Sequence, residues 1–118
     1  MESGENINTG VIHSFGAGFA GQSGQEHFAR RQKEGFYQDI TLSQYEERAL
    51  HLLQQNVGGD IYGYETKSGK VIRWNKTTGD YAVGISGKRI KTMFPLRGGK
   101  SRFDKLREYD EREDDVYD

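Results

Sequence analysis

The sequence predicts an α+β domain in which N-terminal helices pack on an antiparallel, four-stranded β-meander. Two patterns favour this fold class: a helical spacing of apolar residues before Gly59, and a period-two alternation with short glycine-containing connections after it. The 118 residues are enough for one domain and too few for two. With 33% hydrophobic residues, including seven Tyr, six Phe and one Trp, the core is expected to be small and rich in aromatic rings.

Residues 1–24 are rich in Gly, Ser and Asn, and we interpret them as a flexible arm or linker. The first helix is expected to begin at Ser23, because Ser23 and Glu26 have the spacing of a capping box. It should continue through the segment HFARRQK and end near Gly35.

A second helix is expected to follow Thr41, because Thr41 and Gln44 repeat the capping-box spacing. It should end at NVGG, where Gly58 or Gly59 can adopt the left-handed conformation. His51 lies beside its apolar stripe, and we interpret it as a structural histidine at the surface or boundary. The stripe has the spacing of one helix face and consists of Leu42, Tyr45, Ala49, Leu52 and Leu53.

Four short strands are predicted next, in the segments DIYGYE, KVIRWN, DYAVGI and RIKTMF. Their connections, TKSG, KTTG and SGK, are short and contain glycine, which favours an antiparallel meander. Beyond Pro95 we expect a short helix around residues 103–109. The folded domain is therefore expected to span residues 25–107, and residues 108–118 to form an acidic, disordered tail.

Composition excludes several kinds of site. The chain has no cysteine, which excludes disulfides, thiolate metal sites and a cysteine nucleophile. Its three histidines, at positions 13, 27 and 51, are scattered, so we expect neither a metal site nor a cofactor. No segment approaches the roughly 18 to 20 apolar residues of a membrane span, and the start MESGENINTG lacks the apolar run of a signal peptide.

The net charge of −1 conceals an uneven distribution along the chain. Residues 1–59 carry four Lys or Arg against seven Asp or Glu, residues 60–107 carry twelve against four, and residues 108–118 carry one against seven. The middle segment is basic enough to attract a polyanion, and a nucleic acid would fit it. A solvated, charged sheet face without a ligand is the alternative interpretation.

Basic and aromatic residues are interleaved along this middle segment, a pattern typical of surfaces that bind phosphates and stack unpaired bases. A sheet also needs aromatic residues for packing, and we interpret Trp74 as a core residue. The candidates for RNA binding are Lys67, Lys70, Arg73, Tyr81, Arg89, Lys91 and Arg97.

The first predicted helix carries the best candidate for acid–base chemistry. His27 has an unperturbed pKa near 6.5, which suits proton transfer at neutral pH. Arg31 lies four residues later on the same helix face, and Glu34 lies about one turn further along. From spacing alone, such a face forms either a catalytic site or an ordinary polar helix surface.

The order of these segments resembles a family of toxin nucleases. EHFARRQKEGF, ITLSQYEERALHLL and VIRWNKTTGDYAVGISGKRIKTMFP are similar, in this order, to the C-terminal ribonuclease domains of bacterial polymorphic toxins, including contact-dependent growth inhibition toxins. Those domains are grouped with barnase, EndoU, colicin D and RelE as the BECR fold. The resemblance covers about residues 25–95, and the order of segments is more distinctive than any single motif.

The resemblance implies roles for individual residues. His27 matches the first histidine of a KHxxKH-like element, and Arg31 stands where the second histidine would be. This is a departure, because arginine binds phosphate but cannot act as a base at neutral pH. Glu34 matches an acidic residue that often follows the pair. The sheet residues that match the family pattern are Arg73, Tyr81, Val83 and Thr92.

By resemblance, the expected activity is that of a metal-independent endoribonuclease toxin that cleaves RNA, commonly tRNA, and leaves a 2′,3′-cyclic phosphate. His27, Arg31, Glu34 and Thr92 would be catalytic. The implied partners are RNA, a cognate immunity protein and, for some members, a translation factor of the target cell. The domain would be secreted or delivered at the cell surface within a larger toxin, and would act in the target cytoplasm.

Two other functions remain open at this point. A non-catalytic RNA- or protein-binding module would use the same basic sheet. A structural or phage-associated domain would present that basic face to an acidic protein, with binding that weakens as salt is added.

Overall fold

The computed structural model describes residues 13–16 and 18–116. Within these residues the elements are, in order, α1 Ser23–Lys33, α2 Leu42–Leu53, β1 Ile61–Glu65, β2 Lys70–Asn75, β3 Asp80–Ile85, β4 Arg89–Pro95 and α3 Gly99–Glu113. The strands form an antiparallel sheet in the order β1-β2-β3-β4, which confirms the predicted α+β class and meander. None of the helices described here is long and apolar enough to cross a membrane.

One face of the sheet packs against α1 and α2 and forms the first core. Helix α2 contributes the predicted stripe, with Tyr45, Ala49, Leu52 and Leu53 buried. Its capping box is formed in both directions: the Thr41 N–H donates to Gln44 Oε1 at 2.9 Å, and the Gln44 N–H donates to Thr41 Oγ1 at 3.2 Å. The sequence pattern therefore fixes both where α2 begins and which side it buries.

Two helix ends differ from the prediction. Helix α1 begins at Ser23, but the N-cap is Gln22 and no side chain caps the helix. The Ser23 N–H closes a backbone turn onto the Ala20 carbonyl at 2.9 Å, so Ser23 is already in the first helical turn and cannot act as its cap. Helix α2 ends at Leu53, before the two glycines, and the released Gln55 carbonyl accepts a hydrogen bond from the Arg73 Nε at 2.9 Å.

Helix α3 covers the opposite face of the sheet and forms a second core. Phe103 and Val116 are buried there together with Trp74, which is a core residue as predicted. The helix runs from Gly99 to Glu113 and is thus longer than the expected helix at 103–109. The domain therefore has helices on both faces of the sheet.

The acidic stretch from residue 108 to 116 packs on the sheet, whereas the sequence predicts a disordered tail. Asp110 is buried, and its carboxylate accepts hydrogen bonds from the Tyr64 hydroxyl and, at 2.7 Å, from Lys70 Nζ. Val116 pairs with Thr66 in an isolated β-bridge. Residues 117 and 118 lie outside the described residues. The prediction is wrong because an acidic residue need not be solvated: the Asp110 carboxylate meets a buried hydroxyl and an ammonium group.

The described part of the N-terminal arm also packs on the domain instead of forming a loose linker. Phe15 and Phe19 are buried in the first core. Phe19 forms a parallel bridge with Ile90 of β4, and the Ile90 N–H donates to the Gly18 carbonyl at 2.9 Å. For residues 1–12 and 17, the prediction of a flexible arm lies outside the described residues.

Arg73, predicted to contact RNA, is a buried structural residue with 2% of its surface exposed. Its guanidinium donates to the Gln55 and Ile72 carbonyls at 2.9 Å and to Glu65 Oε2 at 3.0 Å. Gly63 on β1 provides the space, since a Cβ there would lie 2.7 Å from Arg73 Cδ. Burial opposes ionisation of Glu65, but hydrogen bonds from Arg73 and from His13 hold its pKa below the ordinary value.

Removal of the Arg73 side chain should therefore destabilise the protein. Arg73→Ala is expected to lower the free energy of unfolding by about 3 kcal/mol, because it removes a donor from two carbonyls and leaves the partly buried Glu65 carboxylate with His13 as its remaining partner. Urea denaturation measures this, with Arg89→Ala as the control at an exposed position of the same sheet. A change below about 1 kcal/mol, similar to that expected of a surface position, would show that Arg73 does not support the fold.

Candidate active site

Polar side chains of α1 meet the edge strand β4 at a single cluster, which we call the α1–β4 site: His27, Arg31, Glu34 and Thr92. Thr92 Oγ1 lies 3.3 Å from His27 Nδ1 and accepts a hydrogen bond from Arg31 Nη2 at 3.2 Å. Arg31 Nη1 donates to Glu34 Oε1 at 3.3 Å. The structure thus brings together the four residues that the sequence nominates as catalytic.

A β-bulge in β4 sets the direction of Thr92. The register with β3 shifts at this point, so that Lys91 has no partner on the neighbouring strand. Ile90 and Met93 both point into the first core, and two residues separate them where a regular strand would have one. The bulge therefore turns Thr92 out of the first core, to the side where His27 contacts it.

Arg31 is held in place by the edge of the sheet. Its Nε donates to the Met93 carbonyl at 3.2 Å, and the same carbonyl accepts from the Tyr45 hydroxyl at 2.6 Å. The guanidinium lies 5.4 Å from the ring centroid of Phe94, and the side chain is 11% exposed. Burial raises the pKa of Tyr45 to about 12, so its hydroxyl keeps its proton and donates at neutral pH.

The surroundings of His27 favour the neutral form of its imidazole. Burial lowers its pKa below 6.5, the positive charges of Arg31 and Arg30 lower it further, and Glu26 acts in the opposite direction. The ring packs at a tilt against Phe19, with centroids 6.1 Å apart. Within the described residues, Nε2 makes no hydrogen bond, while Nδ1 faces Thr92. His27 is therefore suited to accept a proton from a ligand at pH 7.

A second polar cluster holds the loop that follows α1. The Tyr37 hydroxyl donates to Asp80 Oδ1 at 2.9 Å, and Arg48 Nε donates to Asp80 Oδ2 at 2.6 Å. Tyr37 has a φ of 56°, a left-handed conformation that is unfavourable for a bulky side chain. Tertiary contacts must therefore hold this loop, and they fix the end of α1 that carries Arg31 and Glu34.

Four of the predicted RNA-binding residues do not reach the α1–β4 site. Arg73 is buried, and Tyr81 is 4% exposed and stacks on Phe94 inside the second core, so neither can contact RNA in this fold. Lys67 and Lys70 lie towards the opposite edge of the sheet, where they pair with carboxylates of α3 and of the segment after it. The sequence could not show this, because a strand pattern does not reveal which face or edge will be covered.

The other three predicted RNA-binding residues, Arg89, Lys91 and Arg97, are exposed in β4 or directly after it. In the described part of the chain no carboxylate forms a salt bridge with any of them. A fourth exposed cation is Arg30, which lies on α1 and was not among the predicted RNA-binding residues. It follows His27 by three residues on the same helix, which places it about one turn from the His27 side chain.

Sequence reasoning also missed Tyr45 and Phe94 as parts of the site. Tyr45 was assigned to the apolar stripe of α2, and its burial confirms that assignment. Its hydroxyl, however, binds the strand edge that also anchors Arg31. The only signal in the sequence was the choice of tyrosine at a position where leucine would fill the core equally well.

The comparisons with known proteins give no family. No protein-family model matches the chain, and no curated protein is significantly similar to it. Among residues 13–16 and 18–116, no group of three or more His, Asp or Glu side chains is placed to hold a metal ion.

The electrostatic setting of His27 can be measured by NMR titration of its imidazole signals. We expect a pKa below 6.5, and a higher pKa in Arg31→Gln, because that change removes a neighbouring positive charge. Arg48→Gln is the matched control, since it removes an arginine from the Asp80 cluster instead. An unchanged His27 pKa in Arg31→Gln would contradict the proposed coupling between the two side chains.

Proposed function

We propose that the protein is a metal-independent endoribonuclease toxin that cleaves RNA by attack of the RNA's own 2′-hydroxyl. The observation that carries the proposal is the contact of His27 and Arg31 with Thr92: an imidazole favoured in its neutral form and a guanidinium each lie within hydrogen-bonding distance of the same hydroxyl. A base beside phosphate-binding donors is what this reaction requires of a protein.

His27 would act as the general base. When Nδ1–H donates to Thr92 Oγ1, the lone pair of the imidazole is on Nε2. Nε2 takes the proton of the 2′-hydroxyl, the 2′ oxygen attacks the adjacent phosphorus, and the bond to the 5′ oxygen breaks. The 5′ oxygen receives a proton from solvent. The products are a 2′,3′-cyclic phosphate and a 5′-hydroxyl end.

Arg31 and Thr92 would stabilise the negative charge that builds up on the phosphate oxygens. Arg31 directs three N–H groups to Met93, Thr92 and Glu34, and a guanidinium has about two more to offer. Glu34 would thus orient Arg31. This role is compatible with a site that binds anions, because the carboxylate contacts the guanidinium and not the phosphate. Lys91 is the bulge residue next to Thr92 and has no partner on β3. Its ammonium group would attract the phosphate as a point charge on a flexible side chain.

The wider surface supports an RNA substrate, with tRNA as the expected class by resemblance. Arg30, Lys91 and Arg97 flank the α1–β4 site as exposed cations, and none forms a salt bridge within the described residues. A cognate immunity protein would cover this edge, and a translation factor of the target cell would assist where one is required. Delivery as part of a larger toxin belongs to the same proposal.

Cleavage of RNA in the presence of EDTA tests the proposal. The protein should release discrete fragments from total bacterial RNA, and His27→Ala should slow the reaction by about 10² to 10⁴-fold. The rate should rise with pH and level off, with a midpoint below 6.5, because the base is the neutral imidazole with a lowered pKa. If no RNA is cleaved, even when bacterial extract supplies translation factors, the proposed endoribonuclease activity is refuted.

A non-catalytic RNA-binding module is the second candidate, because the exposed cations alone would bind a polyanion. Thr92→Val distinguishes the two, since it keeps the shape of the side chain and removes only the hydroxyl. The enzyme should lose about 10²-fold in rate, the effect of one transition-state donor, while RNA affinity measured by fluorescence anisotropy stays unchanged. Thr77→Val, the same change in the β2–β3 turn, is the control. Equal cleavage by both variants would contradict the role of Thr92, whereas RNA binding without cleavage by the parent protein would favour the binding module.

A further inference from the structure

Arg97 and Phe36 form a stacked pair beside the α1–β4 site. The Arg97 guanidinium lies over the Phe36 ring, 5.0 Å from its centroid. Phe36 is half-buried in the loop after α1, and Arg97 is exposed just beyond the end of β4. The pair therefore joins the ends of the two elements that build the site.

The backbone connects this pair directly to Arg31. The Phe36 N–H donates to the Arg31 carbonyl at 2.9 Å, and the Arg31 guanidinium lies over the ring of Phe94. Phe94 follows Thr92 by two residues, about 7 Å along an extended strand. The Arg97–Phe36 pair thus lies further along the same edge, on the side of Arg31 away from His27.

The exposure of Arg97 argues against a purely structural role. Arg48 makes a similar contact with Tyr37 at 5.4 Å, but Arg48 also forms a 2.6 Å salt bridge with the buried Asp80. Arg97 forms no such bridge within the described residues, and an exposed cation–π contact contributes little to folding. Arg97 instead presents a planar, charged group whose outer face is open to solvent.

A planar guanidinium backed by an aromatic ring is a surface on which unpaired bases stack. We propose that Arg97 and Phe36 hold the base of a nucleotide next to the cleaved phosphodiester, so that the enzyme selects single-stranded RNA. The inference rests on the proposed function, since it places this base in the same substrate. A base inside a duplex has both faces covered by its neighbours and cannot occupy this site.

Fluorescence anisotropy of the inactive His27→Ala protein tests the inference. The probe is a fluorescein-labelled, single-stranded RNA of mixed sequence, compared with the same RNA annealed to its complement. Adding Phe36→Ala or Arg97→Lys should weaken single-strand binding by about 5- to 100-fold and leave duplex binding nearly unchanged. Arg97→Lys keeps the charge and loses the plane, at an exposed position where folding is not at risk.

Lys105→Ala is the matched control, because it removes an exposed positive charge from α3 on the other side of the sheet. It should leave the preference for single strands intact. The inference is overturned if Phe36→Ala and Arg97→Lys bind single strands as well as the parent, or lose single and double strands equally. Cleavage assays separate the two claims: cleavage that depends on His27 but not on Phe36 would refute the stacking site alone. Failure of the parent protein either to cleave or to bind RNA would refute both.

Discussion

The carbonyl of Met93 is the point on which the site depends. It lies on the open edge of the sheet, where an unpaired carbonyl is costly when it is shielded from water. Arg31 from α1 and Tyr45 from α2 both donate to it, so the two helices are bound to the same atom of β4. Closing the edge in this way also places the rest of the Arg31 guanidinium against Thr92. One side chain therefore both closes the strand edge and forms part of the proposed active site.

Most of the fold follows from local patterns. The capping box at Thr41 and the strand alternation identify the start of α2 and the four strands to within about one residue, because propensity, spacing and turn residues agree there. The packing of α3 and of Phe15 was not predictable in the same way. Glycine-rich and acidic segments look unstructured when read locally, and only the completed sheet offers Lys70 and Tyr64 as partners for Asp110.

The site was predictable in part. Helical spacing places His27 and Arg31 on one face, but it does not say that this face will meet Thr92, 65 residues after His27. That contact depends on the β-bulge at Lys91, and the sequence of β4 contains no residue that predicts a bulge. Arg73 shows the opposite error: a basic residue in a basic segment was assigned to RNA, although it fills a space that Gly63 leaves open in the core. A charge count does not separate cations that face a ligand from cations that face carbonyls.

Positive charges that are paired with carboxylates and positive charges that are exposed lie at different edges of the sheet. Lys67 and Lys70 are paired with acidic residues towards one edge of the sheet, while the cations along β4 and Arg30 remain exposed at the other. In the proposed function, this polarity would direct a polyanion to the α1–β4 site, where His27 would start the reaction. Sequencing of RNA ends that carry a 2′,3′-cyclic phosphate, after brief expression in a bacterium, tests this account most directly. We expect a discrete set of new ends that is absent with His27→Ala. An unchanged set of ends, or the same new ends with His27→Ala, would contradict it.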